Sequence, residues 1–541
     1  MKLPCASTCL YFLLLLLLLA PSAATAATGD VWREATLYRD EWGIPHVYAE
    51  NPFALAFVFG YAQAEDHAEH MLLAYRMASG RLAAVLGEAY ADSDAFSLKM
   101  GHALLAERAL SLLDPVSRAL CEGFAMGVNA WLVDNADTVP PWADGVQPRE
   151  ILALWHAFLM SMAPFDLPDV YRRPPAMMSG NAWALAPERS AEGKATLVIN
   201  PHQHHDGFFQ WYEAHLVMGD MNIYGATLRG LPVILQGHNA ALGWALTPNF
   251  PNFADVFIEE YEPPTTPHNP RDPRRRPAED SDPHRALLLQ YMAHSLPYHV
   301  KTGAGLETRH VPAYIGTRGP VFEHSIYGLV SWLIGGYTDF GGLRQLVEMA
   351  RAQSLEAFWA AMHMQQIPCF HVVYADREGN ICYLYNTKAG LRLQHAPDAG
   401  MPESQAATHW NAPMSQRVAV AAWREVFTPS HLPSILNPDS GFVQACGNPP
   451  WTATEPLLLD PTAWPHWLVH DADTYRAQRV RRLLRQGERS FRDHQSLLFD
   501  VVAPAALDMV QALSRAAEAR PDFARNAHPG RSPNWATRAK P

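Results

Sequence analysis

Ser179-Gly180-Asn181-Ala182-Trp183-Ala184-Leu185-Ala186-Pro187 is the stretch on which the reading of this chain turns. From residue 182 to 187 it reads as a strand, and the polar turn Glu192-Gly193-Lys194 leads to a second at 195–200. The same reading extends to 211–218, 223–228, 233–236 and 242–247, with short turns such as His238-Asn239 between them. A further hairpin turn stands at Asp376-Arg377-Glu378-Gly379-Asn380. These features predict a largely antiparallel sheet.

Upstream the period is helical. Apolar residues recur at helical spacing over 52–85, 115–132 and 149–162, so the first part reads as mainly helical. The proline-rich stretch 164–175 breaks that pattern. Helical spacing returns at 343–364, 475–485 and 503–516. The segment 263–285, with Arg274-Arg275-Arg276 beside Glu279, Asp280 and Asp282, reads as a solvated surface loop.

With 541 residues, 48% of them hydrophobic, the chain can bury a large core. Lys2, an apolar run over 11–20 and small residues through Ala24-Thr25-Ala26 predict a secretory leader cleaved after Ala26. The run is shorter than the ~20 residues that cross a bilayer, so the expected location is secreted or periplasmic, without a membrane anchor. Cys121, Cys369, Cys382 and Cys446 remain after the leader. One or two disulfides and buried free thiols are both open readings. The net charge of −12 is spread along the chain and leaves no concentrated basic face, which argues against a nucleic-acid partner.

Several ordered motifs carry a resemblance. They are Arg39-Asp40-Glu41-Trp42-Gly43-Ile44-Pro45-His46, Gly60-Tyr61-Ala62-Gln63-Ala64-Glu65-Asp66, Asn181-Ala182-Trp183, Asn200-Pro201-His202, Gly237-His238-Asn239, and Tyr374-Ala375-Asp376 with Gly379-Asn380. Together they resemble the penicillin acylase family, which includes penicillin, cephalosporin and acyl-homoserine lactone acylases. The resemblance implies an α+β fold, a four-layer αββα N-terminal-nucleophile hydrolase sandwich behind a mainly helical N-terminal part. It also implies a small-chain region at 27–163, a spacer at 164–178, a large-chain region at 179–525 that is short of the family's later β-rich part, and an irregular tail at 526–541.

What the family implies chemically is a precursor that cuts itself before a hydroxyl or thiol residue. The new terminal amine serves as base for its own side chain, and the acyl group of an N-acyl compound is transferred to it and then hydrolysed. The two chains would stay together as a heterodimer, and no cofactor would be needed for the chemistry. Carried over, the pattern Gly-Ser-Asn-x-Trp meets Ser179-Gly180-Asn181-Ala182-Trp183, which puts Gly180 at the nucleophile position and leaves Ser179 as a displaced candidate. A slip of one residue turns a strand side chain to the opposite face. His202 stands 22 residues after Gly180, where acyl-homoserine lactone acylases carry a histidine against the nucleophile.

The oxyanion donors depart as well. Pro248 follows Trp244-Ala245-Leu246-Thr247 and has no N–H to give, which leaves Asn249, by backbone or side chain, as the candidate. His371 stands where the family has an asparagine. Asp255 matches an aspartate that in some acylases binds a structural calcium, with Asn252 at the partner position. His202-Gln203-His204-His205-Asp206 could be read as a zinc site, although on an extended segment His205 points away from the other two histidines. Two functions follow as expectations: an exported amide hydrolase using Ser179, or an uncleaved, non-catalytic relative that binds acylated ligands or has lost its role.

Overall fold

The computed structural model describes residues 31, 33–163, 179–202, 206–258, 294–315, 319–324, 328–392, 413–415 and 422–519. The expected leader, the spacer at 164–178, the loop at 263–285, residues 203–205 and the tail lie outside the described residues.

The N-terminal part contributes a hairpin, β1 (Ala35–Arg39) and β2 (Pro45–Ala49), and then helices. The helices are α1 (Pro52–Ala78), α2 (Ala83–Leu86), α3 (Ala91–Met100), α4 (His102–Leu110), α5 (Pro115–Asp134) and α6 (Pro148–Met160). Prolines 52, 115 and 148 open α1, α5 and α6 at the first position, where a missing N–H costs nothing. Asn51 and Asp114 cap α1 and α5 through their side chains. The pair α1 and α5 is brought together by glycine: a Cβ at Gly123 or Gly127 would fall 2.3 or 1.8 Å from the carbonyl oxygen of Phe53 or Phe57.

Among the described residues sixteen further strands follow in chain order. They are β3 (Ser179–Leu185), β4 (Thr196–His202), β5 (Trp211–Met218), β6 (Met221–Leu228), β7 (Gln236–His238), β8 (Leu242–Thr247), β9 (Ala254–Ile258), β10 (His294–Thr302), β11 (Gly305–Ile315), β12 (Pro320–His324), β13 (Gly328–Ile334), β14 (Cys369–Asp376), β15 (Ile381–Thr387), β16 (Met414–Ser415), β17 (Ser434–Leu436) and β18 (Phe442–Ala445). The remaining helices are α7 (Gly342–Arg351), α8 (Leu355–Met362), α9 (Tyr475–Leu484), α10 (Phe491–Leu497) and α11 (Pro504–Ala519).

A nine-stranded sheet runs β1-β2-β5-β6-β7-β8-β14-β15-β17, and a three-stranded sheet runs β18-β3-β4. A six-stranded sheet, β10-β11-β12-β13-β9-β16, carries strands that alternation in the sequence did not reveal. Pairing is antiparallel except β2 with β5 and β16 with β9. The expected strands from 182 to 247 start and end within three residues of the observed ones, but the helical stretch 343–364 divides at Ser354, whose hydroxyl caps α8.

The layers follow from side-chain alternation. Ala182 and Ala184 of β3 and Val443 and Ala445 of β18 face Ala245, Val373, Ala375, Tyr383 and Tyr385 of the large sheet. On the opposite face, Trp183, Leu185 and Phe442 pack against Ala477 and Leu484 of α9. The far side of the large sheet, including Leu216, Ile223, Trp244, Val372 and Tyr374, is covered by the N-terminal helices and α7 and α8. The result is the αββα sandwich. All four cysteines of the described part are free and buried, so the thiol reading holds there.

Candidate active site

Gly180, the expected nucleophile position, lies where β3 meets the end of β8. Gly180 is buried and shares the alternation of Ala182 and Ala184, so it belongs to the layer between the sheets. A Cβ added there would stand 2.8 Å from Thr247 Cγ2 and 3.2 Å from Thr247 Cβ. The Thr247 methyl group therefore fills the volume that a side chain at position 180 would need. Position 179 falls on the other alternation class, with Asn181 and Trp183; the side chain of Ser179 itself lies outside what the structure describes.

His202 is paired in register with residue 179, one step off Gly180, whose partner is Pro201. The same alternation puts His202 with Val198, which packs on the α9 side of the small sheet, away from Thr247. Its hydrogen bonds fix its tautomer. Arg476 of α9 can only donate, and its Nη1 lies 3.0 Å from His202 Nδ1. Nδ1 must then be the acceptor, and Nε2 carries the proton toward Asn200 Oδ1 at 2.9 Å. Burial, with the Arg476 charge beside it, lowers the His202 pKa.

The remaining candidates stand on the inter-sheet side. Thr247 and His371 are direct cross-strand partners. His371 is fully buried; its Nδ1 is 2.8 Å from Tyr383 Oη and its Nε2 faces Asp471 Oδ1 at 3.3 Å. Asp471 Oδ2 also accepts from Tyr385 Oη at 2.5 Å and from the Phe250 N–H at 3.1 Å. Asn249 is buried and spends both ends of its amide: Nδ2 donates to the Asn386 carbonyl at 3.0 Å and Oδ1 accepts the Phe370 N–H at 2.7 Å. That second bond holds Phe370 at φ +114°, a strained value for a bulky residue, immediately before His371.

Asp255, on β9, is 2% exposed and lies in a separate corner. Its carboxylate accepts from Arg392 through Nη2 at 2.7 Å and Nε at 3.1 Å, and from Trp423 Nε1 at 2.6 Å. Among the described residues no group of three or more histidine, cysteine, aspartate or glutamate side chains is placed to hold a metal; His204 and His205 of the proposed zinc cluster lie outside them.

Sequence reasoning missed Thr247 as the residue closing position 180, and missed Tyr383, Tyr385, Asp471, Arg476 and Arg392. The tyrosines were within reach, since residues two apart on a strand share a face. Asp471 and Arg476 had no local signal.

The profile of the penicillin amidase family matches residues 34–531, nearly the whole of the described part. The chain belongs to the penicillin amidase family. An acyl-homoserine lactone acylase PvdQ of Pseudomonas fluorescens is 23% identical over 505 residues, covering 80% of this chain and 60% of that one. Penicillin acylase 2 proenzyme of a Pseudomonas species is 23% identical over 290 residues, 42% of this chain and 37% of that one. A penicillin G acylase structure from Alcaligenes faecalis aligns at a TM-score of 0.40 and 18% identity, covering 58% of this chain and 50% of that one. This penicillin amidase family chain thus spans about 60% of the length of the acyl-homoserine lactone acylases it matches.

Proposed function

We propose that this penicillin amidase family protein is an exported, uncleaved and non-hydrolysing relative of the enzymes that cut the amide bond of N-acyl compounds. The observation that carries the reading is the contact between Gly180 and Thr247: the nucleophile position has no hydroxyl, and the neighbouring methyl group fills its place. The donor side supports the same reading. Pro248 has no N–H, the Asn249 amide is committed at both ends, and both His371 nitrogens face protein groups inside the core. An oxyanion hole needs donors aimed at the developing charge, and loss of one donor typically slows an enzyme about 100- to 1000-fold.

The register pair of residue 179 with His202 is what favours a hydrolase built on Ser179. It is the weaker reading, because position 179 falls on the alternation class of Trp183, on the α9 side of the small sheet, and not on the inter-sheet class of Gly180. N-acyl compounds remain the ligand class to assay, since the similar proteins are named as acyl-homoserine lactone and penicillin acylases. Export rests on the apolar leader.

The test is the mass of the purified mature protein, together with release of free acid or amine from N-acyl-homoserine lactones and penicillins. One chain without a break near residue 179, and no release above the uncatalysed rate, is the expected result. Two chains with a new terminus at Ser179 and measurable turnover would refute the proposal.

A further inference from the structure

At the Asp255 corner the chain supplies its own cation. Among the described residues, the oxygens that could be offered to a divalent ion there are the Asp255 carboxylate and the side-chain and main-chain oxygens of Asn252. All of them already point at one guanidinium. Arg392 Nη2 lies 2.7 Å from Asp255 Oδ1, 2.7 Å from Asn252 Oδ1 and 3.4 Å from the Asn252 carbonyl, while Nε lies 3.1 Å from Asp255 Oδ2. The side chains of Asp255 and Arg392 are both 0% exposed. The Trp467 ring covers the guanidinium carbon at 4.0 Å, and Trp423 donates its indole N–H to the carboxylate.

This set does not fit calcium. Calcium needs six to eight oxygen ligands at about 2.3–2.6 Å. Here the centre of the oxygens is filled by a group that repels it, and the two tryptophans on the remaining sides bring no oxygen. Charge balance agrees, because among the described residues one carboxylate and one guanidinium neutralise each other and leave no negative charge to hold a second cation.

We propose that Arg392 takes the place of a divalent ion at this corner and that the fold is independent of calcium. The guanidinium then has a structural task, which is to fasten four separate segments. Asn252 and Asp255 belong to the stretch running into β9, whose Asn252 N–H donates to the Leu468 carbonyl. Arg392, at φ +43°, donates its own N–H to the Ala422 carbonyl and so ties the end of β15 to the segment bearing Trp423. Trp467 closes the cluster from the fourth segment. Arginine suits the task better than lysine because its planar fork makes two bonds to one carboxylate and stacks on an indole.

The test is thermal unfolding of the full chain with excess EDTA, excess calcium or neither. The expected result is one unchanged Tm for the wild type in all three. Arg392→Ala is expected to lower the Tm by on the order of 5 °C, since it leaves a buried carboxylate without its partner. Arg392→Met combined with Asp255→Asn, which removes the orphaned charge, should recover most of that loss. If Arg392→Ala does not fold, the double variant and Arg392→Lys still decide, the lysine variant being expected to melt below the wild type and to ignore EDTA. A wild-type Tm that falls in EDTA and returns with calcium would overturn the proposal, as would Arg392→Ala melting with the wild type.

Discussion

Position 180 shows how much one side chain decides. Restoring a hydroxyl there looks like a minimal repair, yet its Cβ would come 2.8 Å from Thr247 Cγ2. Overpacking of that kind costs about 1–3 kcal/mol. Gly180→Ser is therefore expected to lower the Tm, and adding Thr247→Ser, which deletes the obstructing methyl group, to recover much of the loss. Neither variant is expected to yield a new N-terminus at residue 180 by mass spectrometry. The Asn249 side-chain amide remains committed, His371 Nδ1 remains engaged by Tyr383, and residue 248 is still proline. Cleavage in the single variant would mean that the site is less tightly packed than this geometry requires.

Among the elements, the contact between α4 and α6 carries a pH dependence. His156 Nε2 is 2.8 Å from the Tyr337 carbonyl, which can only accept, so that nitrogen bears the proton and Nδ1 is a lone pair. His102 Nδ1 then donates to it across 2.7 Å. Both rings are held neutral: burial brings His156 down to about 4 and, with His156 beside it, drives His102 well below the usual imidazole range. Because these folded pKa values lie below the unfolded value near 6.5, the unfolded chain binds more protons between pH 6.5 and 4. Stability contributed by the pair is present above pH 6.5 and is lost as pH falls through that window. For His156 alone the loss is on the order of 3 kcal/mol by pH 4. Denaturant unfolding across this range should show the decline, and His156→Gln should flatten it. An equal slope in the variant would place the acid sensitivity elsewhere.

The element scale also shows what could be read from the chain. Strands β5 and β8 were read with their observed boundaries, because clear turns flank them. The six-stranded sheet was not read. Much of it is solvated, as residues 305–308 of β11 are all exposed and in β10 and β11 only Val300, Val311 and Ala313 are buried among the described side chains, and several of its residues adjoin stretches that carry no hydrophobic pattern. Helices α1, α5 and α6 were legible because each begins at proline and carries a broad apolar face, whereas α3 and α4, over 91–110, were not read.

For the whole molecule the sandwich depends on two sheets meeting across small side chains. Ala182, Ala184, Ala245, Ala375 and Ala445 line that layer, and the tyrosines at 383 and 385 fill the remaining width. Ala245→Leu, on the central strand β8, would push the sheets apart and is expected to destabilise by about 1–3 kcal/mol. Thermal unfolding measures it, and an unchanged Tm would show that the layer has slack. The same close approach explains why Thr247 can reach Gly180 at all.

By itself the sequence carried the resemblance to the family, through that resemblance the αββα class, and the anomaly at Ser179-Gly180, because motif order and residue identity are properties of the chain alone. It also supplied the absent donor at Pro248, which is a property of one residue type. Only the tertiary structure decided what surrounds those residues. Thr247 closes position 180, Arg476 takes the His202 lone pair, Asp471 lies beside His371, and Arg392 pairs with Asp255. Each of these contacts joins segments far apart in the chain, and no local periodicity encodes which distant side chain will fill a given buried volume or neutralise a given buried charge.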